Sequence, residues 1–152
     1  MIITFCGHSD YFSKNDDKNK LLQVINELAN GEEVTFYLGG YGGFDLFAMQ
    51  CAKTFKVINP KSKIVFVTPY LHKNYTKLNL KNNYDEIIYP NLESVPLRLA
   101  IVKRNKWMVD RADIVIAYVD HKWGGAYKTY AYAIKRKKKI YNFAEDIWII
   151  QQ

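Results

Sequence analysis

Two glycine-rich stretches are the residues in this sequence best suited to chemistry. The first occupies positions 39–43 and follows the apolar run 34–38, and the second is the pair Gly124-Gly125, which follows the apolar run 113–119. Glycine allows main-chain amides to approach a bound group, and amides at the start of a helix form a site for anions. A single glycine pair can equally be a tight strand-to-helix turn that binds nothing. Because the arrangement occurs twice, we expect both stretches to contact a phosphate or sugar.

Two polar side chains near these stretches, Arg104 and Asp45, have two interpretations each. Arg104 and Asn105 fall on or beside the predicted buried stripe of a helix, where an arginine needs a partner. Arg104 would either bind a ligand phosphate with its planar fork or form an ion pair with Asp110, Asp113 or another carboxylate. Asp45 lies in the first turn after the glycines, where it would cap the helix or accept a hydrogen bond from a ribose hydroxyl.

Rings and charges elsewhere give weaker indications. His8 follows the first apolar run and would serve as a donor or acid–base group, or simply as a hydrogen-bonded loop histidine. Trp123 would line a base pocket or pack against the protein. His121 is not spaced with other ligands for a metal, so no metal is expected, and no cofactor either. The basic run 135–139 is interpreted as a solvated helix C-terminus, with a nucleic-acid patch as the minority interpretation.

Hydrophobic spacing predicts alternating strands and helices. The predicted strands are 1–6, 33–38, 63–68, 85–89, 113–119 and 139–143, and the predicted helices are 16–29, 44–56, 96–110 and 124–136. The third helix has a predicted buried stripe of Leu97, Ala100, Ile101, Met108 and Ala112. Residues 146–152 would add an edge strand or a dimer contact. Residues 69–84 form a long polar connection of the kind often found in lids and binding loops.

This alternation predicts an α/β fold: a single Rossmann-like, doubly wound domain spanning residues 1–152, with a mainly parallel sheet of about five to six strands. Ligands of such sheets bind outside the carboxyl ends of the strands. Of the eight glycines, seven lie just past a predicted strand. They are Gly7, Gly39, Gly40, Gly42, Gly43, Gly124 and Gly125.

The composition sets limits on the partners. The chain has 152 residues, is 49% hydrophobic and carries a net charge of +7, which favours anionic partners in general. Cys6 and Cys51 lie outside any paired motif and are predicted to be buried free thiols. No run approaches eighteen apolar residues, so we expect a cytoplasmic protein that does not contact membranes. Self-association remains open.

Four ordered segments resemble the SLOG superfamily, and the similarity is strongest to its YpsA-like branch. The segments are 5–8 (Phe-Cys-Gly-His), 38–45 (Leu-Gly-Gly-Tyr-Gly-Gly-Phe-Asp), 104–113, and 123–126 (Trp-Gly-Gly-Ala). The resemblance covers about residues 1–143. It implies a Rossmann-like fold with a pocket for a nucleotide or nucleotide-derived ligand. The superfamily also contains LOG-type phosphoribohydrolases, DprA-type DNA-binding proteins and sensors of ADP-ribose-like signals.

The sequence departs from the hydrolase pattern at the residue that matters most for chemistry. Arg104 and Met108 match the hydrolases, but their catalytic glutamate position falls on Ala131. No acidic residue occurs between Gly125 and Glu145. N-glycoside cleavage needs a carboxylate near the sugar. In the YpsA-like pattern an arginine usually follows Gly-His, whereas this chain has Ser9.

We therefore expect a protein that binds a nucleotide-derived, phosphorylated small molecule, for sensing or sequestration, without catalysis. The first alternative is a LOG-like phosphoribohydrolase or nucleoside transferase that recruits Asp45 or Asp120. The second is a DprA-like nucleic-acid-binding module, and nucleic acid is the less favoured partner. The predicted ligand-binding residues are Gly7, His8, Gly39, Gly40, Gly42, Gly43, Asp45, Arg104, Asn105, Trp123, Gly124, Gly125 and Ala126.

Overall fold

Strands and helices alternate along the chain in the computed structural model, which describes residues 1–71 and 82–150. The strands are β1 (Ile2–Gly7), β2 (Thr35–Leu38), β3 (Lys63–Val67), β4 (Glu86–Ile88), β5 (Ile114–Tyr118), β6 (Lys139–Asn142) and β7 (Ile147–Ile149). The helices are α1 (Asp17–Ala29), α2 (Gly43–Ile58), α3 (Leu97–Arg111) and α4 (Gly124–Lys135). Each predicted element is present, with ends that differ by a few residues.

The strands form one sheet in the order β4-β3-β2-β1-β5-β6-β7. Every neighbouring pair is parallel except β6 and β7, which are antiparallel. The order reverses at β1, which pairs with β2 on one side and β5 on the other. The predicted Rossmann-like, doubly wound class is confirmed. The sheet has seven strands where five to six were expected, because the tail forms β7 as an edge strand.

Apolar side chains on both faces of the central strands account for the layers. In β1, Ile3 and Phe5 belong to the core under α1 and α2, whereas Cys6 belongs to the core under α3 and α4. Side chains alternate between the two faces of a strand, so a strand buried on both faces must be apolar nearly throughout. The carboxyl ends of β1, β2 and β5 consequently meet at one edge, next to the point where the strand order reverses.

The buried stripe predicted for α3 was partly wrong. Leu97 is 77% exposed and Ile101 is 47% exposed. The packed row is instead Ala100, Arg104 and Met108, at four-residue spacing. Ile101 lies one position, about 100°, around the helix from Ala100, and Leu97 lies in the first turn, before this row begins. Arg104 is therefore buried at a position where helix periodicity predicts an apolar residue.

Two further expectations concern the two cysteines and the connection 69–84. Cys6 and Cys51 are buried and free, as predicted, and burial raises the pKa of each thiol to about 12. The connection 69–84, interpreted as a lid or binding loop, lies largely outside the described residues. Within the parts of the chain that the structure covers, none of the helices combines the length and the apolar character needed to cross a membrane.

Candidate functional site

A cleft of about 470 Å³ opens at the edge of the sheet where β1, β2 and β5 end. Its walls are the end of β1, the loop before α2, the middle of α3 and the start of α4. Of the thirteen residues predicted to bind a ligand, ten line this cleft. They are Gly7, His8, Gly39, Asp45, Arg104, Asn105, Trp123, Gly124, Gly125 and Ala126. The structure thus collects residues more than a hundred positions apart in one place.

The other three predicted residues, Gly40, Gly42 and Gly43, do not line the cleft. A Cβ at Gly40 would lie 2.1 Å from the ring of Phe66, and one at Gly43 would lie 2.2 Å from the carbonyl oxygen of Tyr11. The Gly43 amide donates to the carbonyl oxygen of Ser9 at 2.8 Å. Gly42 has φ +95°, and a Cβ there would lie 3.0 Å from Cα of Ser9. Close packing and backbone conformation are therefore sufficient to explain these three glycines.

The carboxylate of Asp45 binds amides of its own loop. Gly40 donates to Oδ2 at 2.7 Å, and Gly39 donates to Oδ1 at 3.2 Å. Burial raises the pKa of Asp45 to about 6, although the two amides and Arg104 favour the charged form. Asp45 thus braces the first glycine loop and already occupies two of its anion-binding amides.

Arg104 is 5% exposed and connects two strand ends. Its Nη1 donates to the carbonyl oxygens of Gly39 at 2.9 Å and Val67 at 2.8 Å. Its Nε donates to Oδ1 of Asn105 at 2.8 Å. A Cβ on Gly39 would lie 3.0 Å from the guanidinium carbon, so a glycine at this position gives the arginine room. Arg104 therefore fixes the cleft wall formed by the ends of β2 and β3, and brings a positive charge beside it.

The start of α4 offers amides that nothing in its own sequence caps. Trp123 precedes the helix in an extended conformation without a side-chain cap, and the first turn has no acidic residue. The first four amides of a helix lack intrahelical partners. A Cβ on Gly124 or Gly125 would meet no atom within 4 Å among the described residues. Gly124 has φ +90° and so requires glycine for its backbone, whereas Gly125 has neither a positive φ nor a packing neighbour to explain it.

Stacked rings form the wall beside this helix start. The rings of His8 and His121 are parallel within 8°, with centroids 3.6 Å apart, and Trp123 lies 3.9 Å beyond His121. His8 is 6% exposed, and its Nε2 accepts the Asp120 amide at 3.1 Å. Burial lowers the pKa of His8, and the neighbouring His121 lowers it further. The stack thus carries a neutral inner ring and an exposed outer indole.

Asp120 and His121 were missed as members of this arrangement. The Asp120 carboxylate lies 3.2 Å from Nε2 of His8 and 2.6 Å from Nδ1 of His121. These three residues have the donor atoms of a metal site. However, parallel rings direct their lone pairs side by side, so a shared ion would require the stack to open. The sequence feature that could have identified these two residues is their position between the end of β5 and the second glycine pair.

A second cleft of about 560 Å³ lies on the α1 side of the sheet, against β6 and β7. Its lining includes Tyr11, Tyr141 and Trp148, with the hydroxyl of Tyr11 donating to Asp17 at 2.7 Å. None of the predicted site residues belongs to it.

Comparisons with known proteins identify a relative by sequence and several by fold, of which two are described. No family model matches the chain. The SPbeta prophage-derived protein YoqJ of Bacillus subtilis, described as uncharacterized, is 30% identical over 161 aligned positions, which cover 86% of this chain and 92% of YoqJ. Among solved structures, DNA processing protein A of Helicobacter pylori, in a study of its single-stranded DNA binding mode, has a TM-score of 0.63 at 16% identity. The molybdenum cofactor carrier protein of Chlamydomonas reinhardtii has a TM-score of 0.55 at 17% identity.

The coverage of these structures limits what they show. The alignment with DNA processing protein A covers 92% of this chain but only 63% of that protein, and the carrier protein is covered to 73%. At identities of 16% and 17% the likenesses show the fold alone. They agree with a Rossmann-like architecture for this chain.

Proposed function

This chain belongs to the family of YoqJ, whose name states no activity, and from the cleft we propose that it binds a nucleotide-derived, phosphorylated small molecule without processing it. Its role would be sensing or sequestration. We also propose that residues 1–152 form a single domain of the SLOG type, in the YpsA-like branch. The observation that carries the proposal is the uncapped start of α4, where Gly124 and Gly125 leave open space in front of free helix amides.

The chemistry of a phosphate fits this position. Helix N-termini carry a partial positive charge and present amides to an anion. No acidic side chain in the first turn of α4 competes for these amides. The first glycine loop differs, because Asp45 already accepts from Gly39 and Gly40. We therefore assign the phosphate to α4 and the sugar side of the ligand to the loop and Arg104.

The stacked rings supply a surface for a planar group. Trp123 is 70% exposed and rests on His121, which rests on His8. Because His121 packs against one face of the Trp123 ring, the indole loses little conformational freedom when a base stacks on its other face. The cleft volume of about 470 Å³ falls within the range of small-molecule sites. The cleft thus offers Trp123 to a base, the first glycine loop and Arg104 to a sugar, and the start of α4 to a phosphate.

The proposal that this protein does not catalyse a reaction depends on which carboxylates line the cleft. In the described part of the chain, the acidic residues that line the cleft are Asp10 and Asp45. Asp45 is held by two amides, and Ala131 stands where the related hydrolases have glutamate. Among proteins of similar fold, DNA processing protein A was studied for its binding of single-stranded DNA, and the other is a molybdenum cofactor carrier. Both examples support a binding role for a domain of this fold.

Calorimetric titration with nucleoside monophosphates, diphosphates, ADP-ribose and the unphosphorylated nucleosides tests the proposal. We expect at least one phosphorylated compound to bind one to one, and the matching nucleoside to bind much more weakly. Gly125→Asp puts a negative charge at the expected phosphate position and should weaken binding more than tenfold. Asn26→Asp, with the same charge change on exposed α1, is the matched control. Equal loss in both variants, or equal binding of nucleoside and nucleotide, would contradict the proposal.

A further inference from the structure

The positive charge of this protein is concentrated on one face of the sheet. Helix α3 carries five basic residues and one acidic residue, and α4 with its following turn to Lys138 carries five basic residues and no acidic one. These two segments therefore have a net charge of +9, whereas the whole chain has +7. The rest of the molecule is consequently negative, with a net charge of −2.

Contacts join the last turns of the two helices into one patch. Nε of Arg136 lies 3.0 Å from Oδ1 of Asp110, and Nζ of Lys138 donates to the carbonyl oxygens of Asp110 at 3.0 Å and Ala112 at 2.9 Å. Nζ of Lys106, on α3, lies 5.2 Å from the ring centre of Tyr132 on α4. We name this surface the basic patch, and its members are Lys106, Arg111, Lys135, Arg136, Lys137 and Lys138.

Helix stabilisation accounts for only part of this charge. Lys138 caps the carboxyl end of α3, and Arg136 pairs with the patch's one carboxylate, that of Asp110. Arg111, Lys135 and Lys137 are exposed, and the described residues contain no ion pair for any of them. Like charges held within a Debye length of about 10 Å repel one another. Such a surplus is typical of a surface that meets a polyanion.

We propose that the basic patch binds single-stranded nucleic acid through its phosphate backbone. Aromatic rings lie beneath the cations, because Arg111 is 4.0 Å from the ring centre of Trp107 and Nζ of Lys106 is 5.2 Å from that of Tyr132. Cations interleaved with aromatic rings are the arrangement that single strands use, with phosphates on the charges and bases on the rings.

An anionic membrane is the less suitable partner for this surface. Membrane-binding faces add protruding apolar side chains to their charges. The large exposed apolar residues of α3, which include Leu97 and Ile101, lie in its first half, away from the patch. No exposed apolar residue follows Ile134 before Ile140.

The patch is separate from the cleft. The cleft uses the start of α4 and the patch uses its end, and a helix of 12 residues separates them by about 18 Å. A nucleotide bound in the cleft and a strand bound at the patch would therefore not compete for the same atoms.

Fluorescence anisotropy with a labelled 30-nucleotide single-stranded DNA of mixed sequence, measured from 50 to 300 mM salt, tests the proposal. The test variant replaces Arg111, Lys135 and Lys137 with Gln. The control variant replaces Lys14, Lys18 and Lys20 with Gln, which changes the net charge equally on the opposite side of the sheet. We expect the test variant to bind at least tenfold more weakly at 50 mM salt, with a shallower salt dependence, and the control to stay within about twofold.

Three results would overturn the proposal. The first is no DNA binding by the wild-type protein at 50 mM salt. The second is equal weakening in the two triple variants, which would show an effect of overall charge. The third is loss of DNA binding in Gly125→Asp, which would place the strand in the cleft. Binding to phosphatidylserine vesicles with none to DNA is a case of the first result and would identify a membrane surface instead.

Discussion

Glycine is required for different physical reasons on the two sides of the cleft. At Gly40 and Gly43 a methyl group would collide with neighbouring atoms, so the chain itself demands glycine. At Gly125 a methyl group would enter open space. The sequence predicted both stretches as equivalent ligand loops, because both lie just past a strand. Only tertiary contacts, which no local pattern encodes, distinguish a glycine held by packing from one that faces a ligand.

Gly125→Ala separates these reasons experimentally. Alanine is better than glycine in a helix by about 0.5–1 kcal/mol, and the methyl group has no neighbour within 4 Å in the described residues. We therefore expect the free energy of unfolding in urea to rise or stay equal, while affinity for the phosphorylated ligand falls. Gly43→Ala should instead destabilise the protein, because its methyl group would meet a backbone oxygen at 2.2 Å. Unchanged affinity in folded Gly125→Ala would remove Gly125 from the site.

His8 gives the protein a pH dependence of defined sign. Burial and His121 lower the pKa of His8 in the folded state, so the unfolded chain binds more protons as the pH falls below about 6.5. The contribution of His8 to stability should therefore decrease from pH 7 to pH 5, whereas Asp45, whose pKa burial raises to about 6, contributes in the opposite direction. Urea titrations at both pH values should show a smaller decrease in His8→Gln than in the wild type. An equal decrease in the two proteins would show that other groups cause it.

Helix α3 shows how far periodicity predicts an element. Its existence and approximate ends followed from the sequence, and so did the inward position of Arg104. The exposure of Leu97 and Ile101 could not be predicted, because hydrophobic spacing does not show which residues of a helix pack against the sheet. A helix that lines a cleft has one wall open to a ligand, so its apolar pattern is broader than its buried face.

Arg104 and Lys103, adjacent on this helix, provide a direct test of its orientation. Arg104→Ala leaves the carbonyl oxygens of Gly39 and Val67 without a charged donor, and such hydrogen bonds are worth about 1.5–3 kcal/mol. We expect that variant to lose stability of this order and to bind the ligand more weakly than Lys103→Ala, in which only an exposed side chain changes. Both quantities come from urea titration and calorimetry at a temperature where both variants are folded. Equal behaviour of the two variants would exclude Arg104 from the cleft wall.

At the scale of the whole molecule, the alternation of strands and helices was sufficient to predict the doubly wound sheet. The reversal of strand order at β1 then placed ten of the predicted residues around one cleft. The sequence could not reveal that His8 stacks on His121 and accepts the Asp120 amide, since these contacts join positions more than a hundred apart. It also could not show that α3 and α4 combine their charges at one end.

The same architecture predicts a binding protein without glycosidase activity. General acid–base catalysis contributes about 10²–10⁴-fold, and Ala131 supplies no carboxylate where the resemblance to the hydrolases places one. We expect no measurable release of free base from nucleoside monophosphates, as followed by chromatography. Robust release that Asp45→Asn or Asp120→Asn abolishes would make that carboxylate catalytic and refute the proposal of binding alone.

The most direct test of the central claim is a crystal structure of the protein with the tightest-binding nucleotide from the calorimetric panel. Our account predicts that a phosphate or sugar oxygen lies within hydrogen-bond reach of the main-chain amides of residues 124–127 or 39–44, with the phosphate at 124–127. A ligand with every polar atom more than about 3.5 Å from both loops, and no bridging water, would contradict it.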